Sequence, residues 1–166
     1  MNSMDGKGFV FELRKATTED VEAMVDCLRR AFEEYESAYT PGAFADTVPD
    51  ANGMRLRLKE MCLLVAVSAN RIVGTIGYTV NGTEGHVRGM AVFPEWRGRG
   101  AASALLRNVE NELRASGCTV VTLDTTEALA RAIRFYEKNG FVRSGKVSNF
   151  FGMPLREYSK LLSPRS

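Results

Sequence analysis

Histidine is almost missing from this chain: His86 stands alone among 166 residues. Cysteine is scarce as well. Cys27, Cys62 and Cys118 are odd in number, widely spaced, and show no pair at metal-ligand separation. Together the two shortages argue against a zinc centre, and no metal is expected. Unpaired thiols in apolar contexts read as buried, reduced cysteines, which suits a cytoplasmic protein. Long apolar runs are also lacking. The longest, from Met61 to Val67, falls far short of the roughly 20 residues a spanning helix needs, so no membrane segment is expected. Residues 1–8 are polar and carry two glycines without a signal-peptide core, and they are expected to be disordered. Nor does one sign of charge dominate. With 22 basic against 20 acidic residues the net charge is +2, which speaks against nucleic acid as a partner. What remains is an ordinary globular composition, 45% hydrophobic and 25% charged, of a length that makes residues 9–166 one domain.

Periodicity supplies the elements. Phe9 to Lys15 alternates as a strand, and Thr17-Thr18-Glu19-Asp20 resembles a helix start. Val21, Met24, Val25, Leu28, Ala31 and Phe32 then follow at helical spacing. Tyr39 to Gly53, with two prolines and two glycines, reads as loop, followed by a short helix at 54–59. Met61–Val67, Ile72–Val80 and His86–Val92 read as a meander, with Asn81-Gly82 as its second turn. A long amphipathic helix over 98–116, a strand over 120–125, a helix over 129–138 and two strands over 141–147 and 155–161 complete the chain. The order β-α-α-β-β-β-α-β-α-β-β predicts an α/β protein. Its mixed, mostly antiparallel sheet has about seven strands, with helices on both faces.

The segment that carries chemistry is Val92-Phe93-Pro94-Glu95-Trp96-Arg97-Gly98-Arg99-Gly100-Ala101-Ala102-Ser103. It joins a strand to a helix. Glycines allow close approach to the backbone, the first helical turn presents unpaired N–H groups, and two arginines add positive charge. That combination suits a pyrophosphate. A P-loop is excluded because no Gly-Lys-Ser/Thr follows. A dinucleotide fingerprint, Gly98-x-Gly100-x-x-Ser103 with Asp124 ending the next strand, is only partial, since Pro94, Glu95 and Trp96 separate the glycines from the strand. Taken alone, the segment also fits a plain surface turn.

Two stretches together are more specific. Arg97-Gly98-Arg99-Gly100-Ala101-Ala102 resembles the Gln/Arg-x-x-Gly-x-Gly/Ala signature of the GNAT superfamily of acyl-CoA-dependent N-acetyltransferases, and Gly89-Met90-Ala91-Val92-Phe93-Pro94 resembles the strand leading into it. Ala132-x-x-Phe135-Tyr136-Glu137-Lys138-x-Gly140-Phe141 resembles the superfamily's second motif. The resemblance is sharpest from His86 to Phe141. It departs at Leu129, where many relatives carry Asn.

The resemblance implies a GNAT fold and transfer of an acetyl group from acetyl-CoA to an amine, either a small molecule or a protein N-terminus. A non-catalytic acyl-CoA-sensing module of the same fold is the alternative, and a homodimer is compatible with what is common among relatives. In relatives the donor lies in a V-shaped opening between the fourth and fifth strands. By analogy the backbones of Met90 and Val92 would pair with the pantetheine arm, and the Met90 amide would polarise the thioester carbonyl. Arg97, Gly98, Arg99, Gly100, Ala101, Ala102 and Ser103 would hold the pyrophosphate, and Ala132 would border the donor. Tyr136 matches the tyrosine that protonates the departing thiolate. Asp124 stands twelve residues before it, as a glutamate does in relatives that acetylate ribosomal-protein N-termini, and would act as base through a water. Glu84 and His86 are alternative bases. Histone-acetylating relatives place the base where this chain has Met90, so that arrangement is absent. For the acceptor side, Tyr35, Tyr39, Phe44, Asn149, Phe150 and Phe151 are candidates for an aromatic-lined pocket, or for ordinary packing of an irregular loop.

Overall fold

Seven strands stand where the alternating and β-branched runs place them, and a three-residue strand extends the N-terminal edge. The structure, a computed structural model, describes residues 2–4 and 10–164. Its strands are β1 (Asn2–Met4), β2 (Val10–Lys15), β3 (Cys62–Ser68), β4 (Arg71–Asn81), β5 (Glu84–Val92), β6 (Val120–Thr125), β7 (Val142–Phe150) and β8 (Met153–Leu161). They form one sheet in the order β1-β2-β3-β4-β5-β6-β8-β7. The segment expected to be disordered, residues 1–8, is described only at Asn2–Met4, whose backbone pairs antiparallel with Val10–Glu12. Residues 1 and 5–9 lie outside the described residues.

Every neighbouring pair is antiparallel except β5 and β6. That parallel pair needs a crossover, and α4 (Ala101–Ala115) supplies it. Leu105, Leu106, Val109 and Leu113 of α4 pack with Leu64, Ile76 and Val87 on one face of the sheet, joined by Tyr136 of α5 (Ala130–Lys138). On the other face, Met24 and Leu28 of α1 (Val21–Phe32) pack with Leu63, Val65 and Ala91. The strand alternation that feeds both clusters puts helices on both faces, as expected.

The stretch read as loop over 39–53 is largely helical: it forms α2 (Pro41–Thr47) and the start of α3 (Ala51–Glu60). The prolines that suggested a break sit at helix starts. Pro41 occupies the first turn of α2, where the Thr40 hydroxyl accepts from the Ala43 N–H at 3.3 Å. Pro49 precedes Asp50, whose carboxylate caps α3 by accepting from the Gly53 N–H at 2.8 Å.

One irregularity positions everything that follows. The β4–β5 register passes from Gly77↔Arg88 to Thr75↔Ala91, so three steps on β5 oppose two on β4. The extra residue lies at Gly89–Met90, and Gly89 has φ +68°, a conformation glycine adopts without steric cost. The bulge shifts the side-chain phase. Val87 before it and Met90 and Val92 after it all pack toward α4, whereas an unbroken strand would send Ala91 there. Pairing of β5 with β6 also stops at Val87↔Leu123. Beyond that point β6 is paired only with β8, through Asp124↔Glu157 and Thr125↔Arg156, and a wedge opens between β5 and β6.

Candidate functional site

Two cavities meet in this wedge. The first, about 320 Å³, lies between β5, the glycine-rich turn, α1 and α5. The second, about 590 Å³, continues past β5 and β6 toward α3 and the β7–β8 hairpin. Phe32, Met90, Leu129 and Tyr136 border both. A long ligand entering the first cavity therefore ends where a second ligand could enter from the other side.

The backbone of β5 lines the first cavity. The Phe93 N–H donates to the Val73 carbonyl at 2.9 Å, and the Ala91 carbonyl faces Gly74, so these two residues turn their polar groups toward β4. Met90 and Val92 alternate with them and present theirs to the opposite edge, which β6 has left. An extended, amide-bearing ligand could pair there as an added strand. A 3₁₀ turn at Pro94–Trp96 then leads to Gly100, which caps α4 with φ 92°. The first intrahelical bond runs from the Ala104 N–H to the Gly100 carbonyl at 3.0 Å, so the amides of Ala101, Ala102 and Ser103 point out of the helix end. Gly98, Gly100, Ala101, Ala102 and Ser103 line the cavity at this end.

The two arginines of the turn behave differently. Arg99 lies over the Trp96 ring, 4.7 Å from its centroid. Arg97 reaches across the cavity mouth to Glu34 at 3.1 Å, and Arg131 meets the same carboxylate at 3.3 Å. Arg97 and Arg131 border the cavity, whereas Arg99 is not among its lining residues. Glu34 is almost half exposed, so these bridges are weak, about 0–1 kcal/mol each, and an arriving phosphate can displace the carboxylate at little cost.

Tyr136 stands at the junction. It is 8% exposed, packed edge-on against Phe135 and Phe141 with ring centroids 5.7 and 5.8 Å away. Burial, with a smaller contribution from Tyr39, pushes its phenol well above the ordinary tyrosine range, so it is a proton donor at any physiological pH. Leu129 caps α5 without a side-chain hydrogen bond and closes the apolar wall beside Tyr136. Ala132, one turn before Tyr136, lines the first cavity.

In the second cavity the candidate base Asp124 and its alternative His86 turn out to be neighbours. His86 Nε2 lies 3.5 Å from the Asp124 carboxylate, while Nδ1 is 2.7 Å from the Thr122 hydroxyl. The parallel register explains the meeting, since His86 pairs with Thr122 and Asp124 lies two residues farther on the same face of β6. Glu84 lies outside this cavity, on a smaller pocket of about 320 Å³ that His86 and Asp124 also line. Of the acceptor-side candidates, Tyr39, Asn149 and Phe150 line the second cavity and Tyr35 the first, whereas Phe44 and Phe151 line neither. The Phe151 carbonyl accepts from the Thr40 hydroxyl at 2.8 Å, so the hairpin tip is fastened to the start of α2 as a wall of the cavity.

Four contributors have no counterpart in the sequence reading. Arg57, on the buried side of α3, and Arg88, on β5, line the second cavity together with Asp46. Thr125 borders it too. Its hydroxyl is the single buried side-chain polar atom without a partner among the described residues. Arg57 left a signal: it falls at helical spacing between Met54 and Met61, a charge on an otherwise apolar face. Thr125 left none.

Comparison with known proteins agrees with this architecture. Residues 21–141 match the model of the acetyltransferase (GNAT) family. Among solved structures, the fold is similar to a GCN5-related N-acetyltransferase from Rhodopseudomonas palustris, with TM-score 0.77, 21% identity and 98% of each chain covered. It is also similar to the PaiA N-acetyltransferase from Thermoplasma acidophilum in complex with coenzyme A, with TM-score 0.73, 19% identity, and 91% of this chain and 98% of that one covered. A ribosomal-protein-alanine N-acetyltransferase from Brucella melitensis matches with TM-score 0.71, 23% identity, and coverage of 91% and 99%. No described helix is long and apolar enough to cross a membrane.

Proposed function

The chain belongs to the acetyltransferase (GNAT) family, and from that premise we propose that it transfers an acetyl group from acetyl-CoA to a primary amine by direct attack on the thioester. One observation carries the reading: the unpaired edge of β5 at Met90 and Val92 leads straight into the open N-terminus of α4, with the Tyr136 phenol where the two cavities meet. The pantetheine amides pair with the β5 edge. The pyrophosphate lies on the amides of Ala101 to Ser103, with Arg97 released from Glu34 to meet it. This places the thioester near Met90, whose N–H would donate to the carbonyl oxygen as charge develops there. The amine nitrogen bonds to the carbonyl carbon, the carbon–sulfur bond breaks, and Tyr136 donates to the departing thiolate. The proton lost by the amine passes to the His86–Asp124 pair, directly or through a water.

Calorimetry with acetyl-CoA, then thiol release across a panel of small amines and N-terminal peptides, tests this. Saturable release with any amine supports the enzyme. Tight donor binding with no release from any acceptor would make the protein a sensing module instead. If acetyl-CoA does not bind to folded protein, the reading is lost.

The base is checked separately. His86→Ala and Asp124→Asn should each flatten or shift the acidic limb of the kcat/KM profile and reduce activity near neutrality roughly 10- to 100-fold. Because the two groups touch, the double variant should be little worse than the more damaging single one. An acidic limb unchanged in both single variants would show that neither residue takes the proton.

A further inference from the structure

In the second cavity two guanidinium groups, Arg57 and Arg88, share one nearby carboxylate, Asp46, because the other lining acid, Asp124, lies against His86. Arg57 is 7% exposed, yet no carboxylate lies within ion-pair distance of it among the described residues. Its Nη2 donates only to the backbone carbonyl of Asp46. The Asp46 side chain is already engaged by Arg88, at 2.6 Å. Two guanidinium groups thus draw on one acidic residue, and burial first, then Arg88, pushes Arg57 down to about 10. A buried cation is ordinarily paired. Here the missing partner would be an anion standing in the cavity that both arginines line.

Position narrows the anion's identity. Arg57 Nη1 lies against Gly89, so closely that a Cβ there would sit 3.2 Å from it, and Gly89 immediately precedes Met90. Arg88 lies two residues from His86 on β5, roughly 7 Å along the strand and on the same face. The cation pair and the His86–Asp124 pair therefore flank one short stretch of β5, a span suited to a single small molecule with an anionic and an amino group.

We propose that the acceptor is a free α-amino acid, whose carboxylate is held by Arg57 and Arg88 while its amine faces His86, Asp124 and the thioester. This rests on the acetyltransferase reading and narrows its acceptor to one chemical class. An α-amine, one carbon from a carboxylate seated beside Gly89, stays close to Met90. A peptide N-terminus offers no carboxylate at that distance.

The test uses the twenty proteinogenic L-amino acids and their matched α-carboxamides, with thiol release from acetyl-CoA as one readout and calorimetric binding as the other. The expected result is that at least one acid exceeds its amide in kcat/KM by roughly 100-fold, because the amide leaves the buried Arg57 guanidinium without an anionic partner. Arg57→Met should collapse that ratio while acetyl-CoA still binds, since Arg57 does not line the donor cavity. Arg57→Lys should recover part of it, and Arg88→Gln should reduce it. Should Arg57→Met fail to fold, the wild-type ratio and Arg88→Gln decide. Acids and amides equal within about twofold would overturn the proposal, as would a ratio that survives in folded Arg57→Met. So would turnover confined to amines without a carboxylate, which would leave the acetyltransferase reading intact. If acetyl-CoA itself does not bind, that broader reading falls, and binding of the amino acids alone decides this one: Arg57-dependent binding keeps it and none removes it.

Discussion

Gly100→Glu should weaken acetyl-CoA binding roughly 100-fold or more in a protein that still folds. Gly100 caps α4 with φ 92°, and a side chain in that left-handed region costs about 1–2 kcal/mol. A domain of ordinary stability, about 5–15 kcal/mol, survives that. The binding penalty is larger. A carboxylate at the helix end enjoys the same dipole and outward amides that would hold the pyrophosphate, so it competes for them. It also repels a phosphate: two unit charges about 5 Å apart at an effective dielectric of about 20 oppose each other by roughly 3 kcal/mol. An affinity loss of roughly 100-fold or more follows. Gly98→Ala is the control. Gly98 has φ +75° but open space around a Cβ, so that variant carries strain without charge and should lose no more than about tenfold. Calorimetry beside a melting curve separates the two effects. Unchanged affinity in folded Gly100→Glu would mean that the donor's phosphates do not lie at this helix end.

Legibility in the sequence followed the range over which each signal acts. Strand alternation and the apolar stripes of α1 and α4 are local, and they gave the element order and a sheet with helices on both faces. The glycine-rich turn was readable because its chemistry lies in consecutive backbone groups: Gly100 at φ 92° and the amides that follow need no partner elsewhere in the chain. Proline misled at α2 and α3 because Pro41 and Pro49 read as breakers, whereas the caps Thr40 and Asp50 make them starts. The β5 bulge was invisible for a different reason. A glycine in a strand announces an irregularity, but only pairing with Thr75 and Gly77 shows which way the phase shifts. The pairing of His86 with Asp124 depends on a parallel register set across the whole of α4. The Arg57–Asp46–Arg88 group joins α2, α3 and β5, and no spacing rule could have assembled it.

Tyr136→Phe should lower turnover by roughly 100-fold while leaving acetyl-CoA affinity and the melting temperature nearly unchanged. The ring does the packing, edge-on against Phe135 and Phe141, and phenylalanine retains it. Among the described residues the hydroxyl has no hydrogen-bond partner to lose, so stability depends little on it. Catalysis does. A thiol has a reference pKa near 8.5 and a phenol near 10, so full proton transfer to a thiolate is uphill by about 2 kcal/mol even before burial raises the phenol further. The useful contribution of Tyr136 is then a strong hydrogen bond to sulfur as negative charge builds, in a site whose apolar wall of Leu129 and Phe32 gives the thiolate little other help. The same elevation fixes the pH behaviour. The phenol stays protonated well past the ordinary tyrosine range, so the basic limb of kcat should not originate from it and should persist in the variant at a lower plateau. The donor decides how sharply the loss is seen: with a good leaving group in place of coenzyme A, such as a low-pKa aryl thioester, the thiolate needs less stabilisation and the deficit should shrink toward unity. A loss of the same size with both donors would show that Tyr136 shapes the cavity and does not assist the leaving sulfur.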